Sequence, residues 1–329
     1  MDPKIFRSTH LYRTKHSSTI NTTCLTCSPP SDLPLCLHSS VELSPSFSGY
    51  LLYCKGPSIP YTALFSLPSN TLVKILDRNQ HLERALSVKK SVLQTKQGYF
   101  LEVLRRSNSD DLKEKPLLLT LTAGVPHIWS CDFSCWLADY LNLVVADVET
   151  VNDITSLATE KLSSVMNSLT ALSYVHPNKI AVYSHGYQGF LALSSLLEKG
   201  LNINCGVVVA PVTDWRLTSP YISERLKLPV ERLNLMERNL TSLSGKQLLL
   251  VHGMRDRNIL LANSLLLSEK LAQQGIIFSQ QFYPEAGHKM KKKVQFFHMK
   301  TVTRFLEDCL VEKQEVKEKG DWTFSEWFK

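Results

Sequence analysis

A chain of 329 residues, 43% hydrophobic and 20% charged, can bury a full-sized core and has the composition of an ordinary globular protein. Its 37 basic and 30 acidic side chains leave a formal charge of +7 with no basic stripe interleaved with aromatics, which argues against nucleic-acid binding. No apolar run of 18 residues occurs, so no transmembrane helix is predicted, and the first ten residues lack the apolar centre of a signal peptide. Read literally, that places the chain in the cytosol, whereas the eight cysteines, with N-x-[ST] sequons at Asn21 and Asn239, point to the secretory pathway, and both readings stay open at this point.

Residues 1–87 carry short apolar runs at Val41 to Leu43, Gly49 to Tyr53, Tyr61 to Phe65 and Leu72 to Leu76. Breakers such as Pro45, Pro57, Pro60 and Pro68 separate them, a spacing that predicts antiparallel strands. About four strands cannot close a barrel or a propeller, so this region reads as an incomplete β-propeller piece. Cys24, Cys27, Cys36 and Cys54 lie within it. They read as staples rather than zinc ligands, because no second C-x2-C completes a ligand set.

Over residues 88–312 strand-like runs alternate with helical ones. Strands are predicted at Leu117 to Thr122, Leu143 to Ala146, Ile180 to Tyr183, Gly206 to Ala210, Gln247 to Val251 and Phe278 to Tyr283. Helices are predicted from Ile154 to Leu172, from Phe190 onward, from Leu260 to Leu271 and from Val294 to Leu310. This order implies an α/β fold with a mostly parallel central sheet covered on both faces. The crevice beyond the carboxyl ends of such strands gathers Ala123–Gly124, Gly186, His252 to Asp256, and Gly287–His288. Residues 313–329 form a charged and then aromatic tail, either surface-docked or a partner-binding motif.

Strand, sharp turn and helix around residues 180–197 are the setting of a nucleophile elbow, in which G-x-S-x-G lifts a serine above an α/β-hydrolase sheet. Here the turn reads Ser184-His185-Gly186-Tyr187-Gln188-Gly189, and its apex falls on glycine. Asp256 follows one buried strand and His288 the next, in the chain order of a hydrolase acid and base. Ser184 is the alternative nucleophile. It would shift the apex by two residues, about 6–7 Å along a strand, away from the acid and base. His185 reads as an ordinary turn residue, and Lys289 with Lys291 to Lys293 as a solvated face. Close to His288, those lysines would disfavour an imidazolium.

The sequence resembles the dipeptidyl peptidase IV family of prolyl oligopeptidases, the S9 serine peptidase fold, and most of all its catalytically inactive members. The likeness runs from His10-Leu-Tyr12 to about Leu310. It is carried by Cys24-x2-Cys27, Cys36, Cys54-Lys-Gly-Pro57, Cys205-Gly-Val-Val-Val-Ala-Pro-Val212, Trp215, Ser223-Glu-Arg225, His252-Gly253 and Tyr283-Pro-Glu-x-Gly-His288. The resemblance implies disulfides Cys24–Cys27, Cys36–Cys54 and Cys205–Cys309, leaving Cys131 and Cys135 unassigned. It also implies glycans at Asn21 and Asn239 and a plasma-membrane setting on the extracellular side.

Carried over residue by residue, the resemblance places the family's serine on Gly186, with Asp256 and His288 as acid and base. The two oxyanion donors fall on the Tyr187 N–H and on Thr122, where the family has a longer tyrosine. The proline-pocket residues fall on Trp215, Thr218, Ile222, Asn258 and Ile259. No cofactor or metal is implied. The resemblance therefore implies a hydrolase fold without peptidase activity that acts by protein interaction, its candidate partners being a second copy and a potassium channel. Val294, Phe297, Phe305 and Leu306 form either the dimer face or core.

Overall fold

The computed structural model describes residues 9–15, 21–57, 59–80, 88–96, 100–107, 113–122, 131–149, 156–225 and 233–311. Ala123–Gly124 and the tail at 313–329 lie outside them. Strands β1 (Tyr12–Lys15) and β2 (Asn21–Cys24) pair antiparallel, and the Cys24–Cys27 disulfide closes the turn that follows. Strands β3 (Cys36–Leu43), β4 (Gly49–Pro57), β5 (Tyr61–Ser66) and β6 (Thr71–Asp77) form an antiparallel meander in chain order. One face is apolar because alternate residues point to it: Tyr61, Ala63 and Phe65 from β5 meet Tyr50 and Leu52 from β4. The Cys36–Cys54 bridge is buried in that face.

The rest is one eight-stranded sheet. Strands β7 (Val88–Gln94) and β8 (Phe100–Arg106) form an antiparallel hairpin at its edge. Then come β9 (Lys115–Thr122), helix α1 (Cys131–Tyr140), β10 (Val144–Glu149), α2 (Ser156–Thr170), β11 (Val175–His185) and α3 (Gln188–Leu197). They lead to β12 (Cys205–Val209), the short α4 (Pro220–Arg225), β13 (Gln247–Gly253), α5 (Ala262–Gln273), β14 (Ser279–Tyr283) and α6 (Lys292–Leu310). The spatial order is β14-β13-β12-β11-β9-β10-β8-β7, parallel from β14 to β10 and antiparallel beyond. This is an α/β-hydrolase fold, with a mixed sheet that is mostly parallel.

Strand parity divides the core between two faces. Leu117, Leu119 and Leu121 of β9, Ile180 and Val182 of β11, and Leu248 and Leu250 of β13 face α2, α3 and α5. Their neighbours Leu118, Ala181, Tyr183, Leu249 and Val251 face α1 and α6. A strand buried on both faces has no polar side, which is why these strands read as unbroken apolar runs. On α6, Leu306 is fully buried and Val294 and Phe305 pack against the same core, whereas Phe297 is exposed. Cys205 of β12 is bonded to Cys309 of α6, so the last helix is joined covalently to the middle of the sheet. Cys135, left unassigned by sequence, is also disulfide-bonded, while the Cys131 side chain lies outside the described residues. Asn21 and Asn239 are both exposed.

Candidate active site

Strand β11 ends at His185 and α3 begins at Gln188, so the chain reverses over two residues. Gly186 makes the turn at φ +78°, a left-handed conformation that costs an L-residue about 1–2 kcal/mol. Its N–H donates to the Val209 carbonyl at 2.8 Å, which pins the turn to β12. Gly189 serves closeness instead. A Cβ there would lie 2.5 Å from Pro211 Cβ and 2.6 Å from its Cα, so only glycine lets α3 start against the exit of β12. At Gly186 there is room: a Cβ would lie 3.6 Å from His288 Cε1, 3.7 Å from His288 Nε2 and 3.7 Å from Ile259 Cδ1.

His288 is oriented from behind. Its Nδ1–H donates to Asp256 Oδ2 at 2.8 Å, which leaves Nε2 toward the elbow. Asp256 is buried, and its Oδ1 accepts from the N–H groups of Asn258 at 2.8 Å and Ile259 at 3.0 Å. Burial alone would raise this carboxyl. The His288 hydrogen bond and the two backbone N–H groups outweigh it and hold the group below the usual carboxylate range. His252 lies 3.7 Å from Asp256 Oδ2 and is fixed by Ser264 Oγ at 2.7 Å and the Ile259 carbonyl at 3.0 Å. Burial lowers its pKa, so it stays neutral. Gly253 brings β13 directly under the loop that carries His288, since a Cβ there would lie 2.6 Å from the Ala286 carbonyl oxygen and 2.7 Å from that of Gly287.

The structure thus gathers Gly186, Asp256 and His288 at one rim. Among the described residues nothing takes the Tyr187 N–H, at the start of α3. The Thr122 hydroxyl is engaged elsewhere, donating to Asp147 Oδ1 at 3.0 Å. Trp215 is buried beside the elbow, stacked on Tyr187 at 5.9 Å between ring centroids and edge-on to Phe190 at 5.7 Å. Ile259 is the apolar contact of Gly186, Asn258 is exposed, and Thr218 turns its hydroxyl back onto the Trp215 carbonyl at 2.7 Å. The Ile222 side chain lies outside the described residues.

Ser184 is fully buried on the α3 side of the sheet, with its Oγ unpartnered among the described residues. His185 is more than a turn residue. Its ring stacks on that of His288, with centroids 4.5 Å apart. Strand parity turns it to the α6 face, where a loop from a hundred residues later delivers the partner ring. Sequence reasoning also missed His298, which lies on α6 four residues after Val294 and four before Val302. A histidine within that apolar stripe was the available signal.

Burial holds His298 at about 4, and burial followed by the charge of His288 lowers His185 to about 3. Both values lie below the unfolded value of about 6.5. Between these limits the unfolded chain binds more protons, so each group's contribution is fully present above pH 6.5 and lost as the pH falls toward the folded value. Urea titrations from pH 6.5 to 4 should therefore show falling stability, with His298 adding up to about 1.4 kcal/mol per pH unit. His298→Gln should flatten that slope, and an unchanged slope would remove His298 as its source.

Comparison with known proteins bears on this arrangement. Residues 159–313 match the Prolyl oligopeptidase family, peptidase S9. The chain is 25% identical over 344 residues to inactive dipeptidyl peptidase 10 of Rattus norvegicus, covering 94% of this chain and 43% of that protein. It is 26% identical over 338 residues to dipeptidyl peptidase 4 of Sus scrofa, covering 91% and 44%. The chain thus spans less than half the length of these curated relatives. Among solved structures, Porphyromonas gingivalis dipeptidyl peptidase 4 superposes with a TM-score of 0.68 at 20% identity, over 88% of this chain and 45% of that one. A Mycobacterium tuberculosis puromycin-hydrolyzing peptidase gives 0.69 at 13% identity, over 89% and 49%. These two share the fold. Over residues 159–313, then, the chain is similar to the peptidase S9 domain of prolyl oligopeptidases, and its fold is the one these solved peptidases share.

Proposed function

We propose that this chain is a dipeptidyl peptidase-like protein that does not hydrolyse peptides and acts by protein interaction. One observation carries the reading: at the turn that faces His288 Nε2 stands Gly186, which has no side-chain oxygen to attack a carbonyl. Two others support it. Thr122 spends its hydroxyl on Asp147, so the second oxyanion position has no free donor there. One of the relatives also bears the word inactive in its name.

The kind of partner comes from the resemblance: a second copy docking through the hydrolase region, and a voltage-gated potassium channel to which the chain would be auxiliary. Phe297 of α6 is the exposed apolar residue best placed for the first. A membrane-associated, extracellular setting with glycans at Asn21 and Asn239 belongs to the same proposal, and the disulfides Cys24–Cys27, Cys36–Cys54 and Cys205–Cys309, with the bonded Cys135, suit it.

The competing reading is a serine hydrolase that uses Ser184. A fluorophosphonate probe separates the two. The unmodified chain should remain unlabelled and should release no dye from a Gly-Pro amide. Stoichiometric labelling abolished by Ser184→Ala would establish the hydrolase instead.

A further inference from the structure

On the α6 side of the His288 imidazole lies a cavity of about 260 Å³ that the elbow chemistry does not use. Its wall includes Tyr183, His185, His288, Lys289, Gln295 and His298, but neither Gly186 nor Ile259. Two buried nitrogens in this wall, His185 Nε2 and His298 Nδ1, have no hydrogen-bond partner among the described residues. Buried polar atoms of native proteins are nearly always satisfied, so a pair of unsatisfied ones in one cavity indicates an occupant.

The occupant's chemistry is set by the groups around those atoms. His298 is 4% exposed, and its Nε2 lies 3.3 Å from the Tyr183 hydroxyl. With the phenol donating, Nε2 accepts and the proton sits on Nδ1, which becomes a buried N–H donor. Burial keeps this imidazole neutral at physiological pH, so it offers a hydrogen bond rather than a charge. Positive potential comes from the rim. Lys289 lines the cavity and is exposed, and α6 starts three residues later. That helix has no side-chain cap at Lys291 and no acidic residue in its first turn, so its free N–H groups and dipole favour an anion. Among the described residues no Asp or Glu lines the cavity. Val209 and Met290 add an apolar wall, which suits an organic anion better than an inorganic one.

We propose that this cavity binds a small organic carboxylate, held by the His298 Nδ1–H under the positive field of Lys289 and the start of α6. The ligand would lie beside the elbow without needing a nucleophile there, so labelling at the elbow neither supports nor opposes it.

Histidine side-chain ¹H–¹⁵N spectra of the full chain, titrated with benzoate in one arm and inorganic phosphate in the other, test the proposal. Benzoate should shift the His298 Nδ1 resonance saturably. Lys289→Ala, a surface change that leaves the core intact, should weaken binding by about 3- to 10-fold, and His298→Gln by about 10- to 100-fold. No saturable shift up to about 10 mM benzoate would overturn the proposal, as would saturation that both variants leave unchanged. Saturation by phosphate but not by benzoate would overturn the carboxylate assignment.

Discussion

Replacing Gly186 with serine is expected to turn an unreactive chain into one that a fluorophosphonate labels. The new Cβ would sit 3.7 Å from His288 Nε2, within one further bond of hydrogen-bonding distance, and Asp256 already holds the imidazole in the required orientation. Among the described residues nothing competes for the Tyr187 N–H, which would receive the developing oxyanion. The second donor is not, because Thr122 is bonded to Asp147. Losing one such donor costs about 10²–10³ in rate, so labelling should be slower than in a complete serine peptidase by roughly that factor. Adding His288→Ala should abolish it. Serine at φ +78° should also lower stability by about 1–2 kcal/mol. A folded Gly186→Ser chain that takes up no probe would sink the assignment of this turn as the nucleophile position.

Loss of the Cys205–Cys309 bridge should be the most destabilising of the disulfide deletions. The chain-entropy relation scales with the span closed, and these cysteines are 104 residues apart, against 18 for Cys36–Cys54 and 3 for Cys24–Cys27. It gives about 5, 3 and 2 kcal/mol in that order. The double variant Cys205→Ala, Cys309→Ala should lose about 4–5 kcal/mol in urea titration, while Cys24→Ala, Cys27→Ala loses about 2 or less. If the two double variants lost equal amounts, the packing of Val302, Leu306 and Leu310 would dominate the docking of α6 and the tether would be secondary.

The strands that position the site were legible because burial on both faces leaves them unbroken apolar runs, as in Leu117 to Leu121 and Leu248 to Val251. The β7–β8 hairpin was not. It lies at the sheet edge, where Val88 and Leu93 pack only in part against opposite faces and lysines interrupt the apolar run of Val88-Lys-Lys-Ser-Val-Leu-Gln94. Helix α1 could have been read, since Phe133, Trp136, Leu137 and Tyr140 recur at helical spacing. At the site, Gly186, Asp256 and His288 follow from position at strand ends. The His185–His288 stack and the place of His298 do not, because each depends on how α6 is laid against the sheet, which local periodicity does not encode.

Asp256 accepts from His288 and from the two N–H groups of its own turn, while Gly253 presses that turn against the next loop. The carboxylate therefore braces two segments of backbone, whatever happens at the elbow. A protein built this way has reason to keep its acid and base as architecture even if it cleaves nothing. Their presence alone is then poor testimony that a fold of this kind is an enzyme.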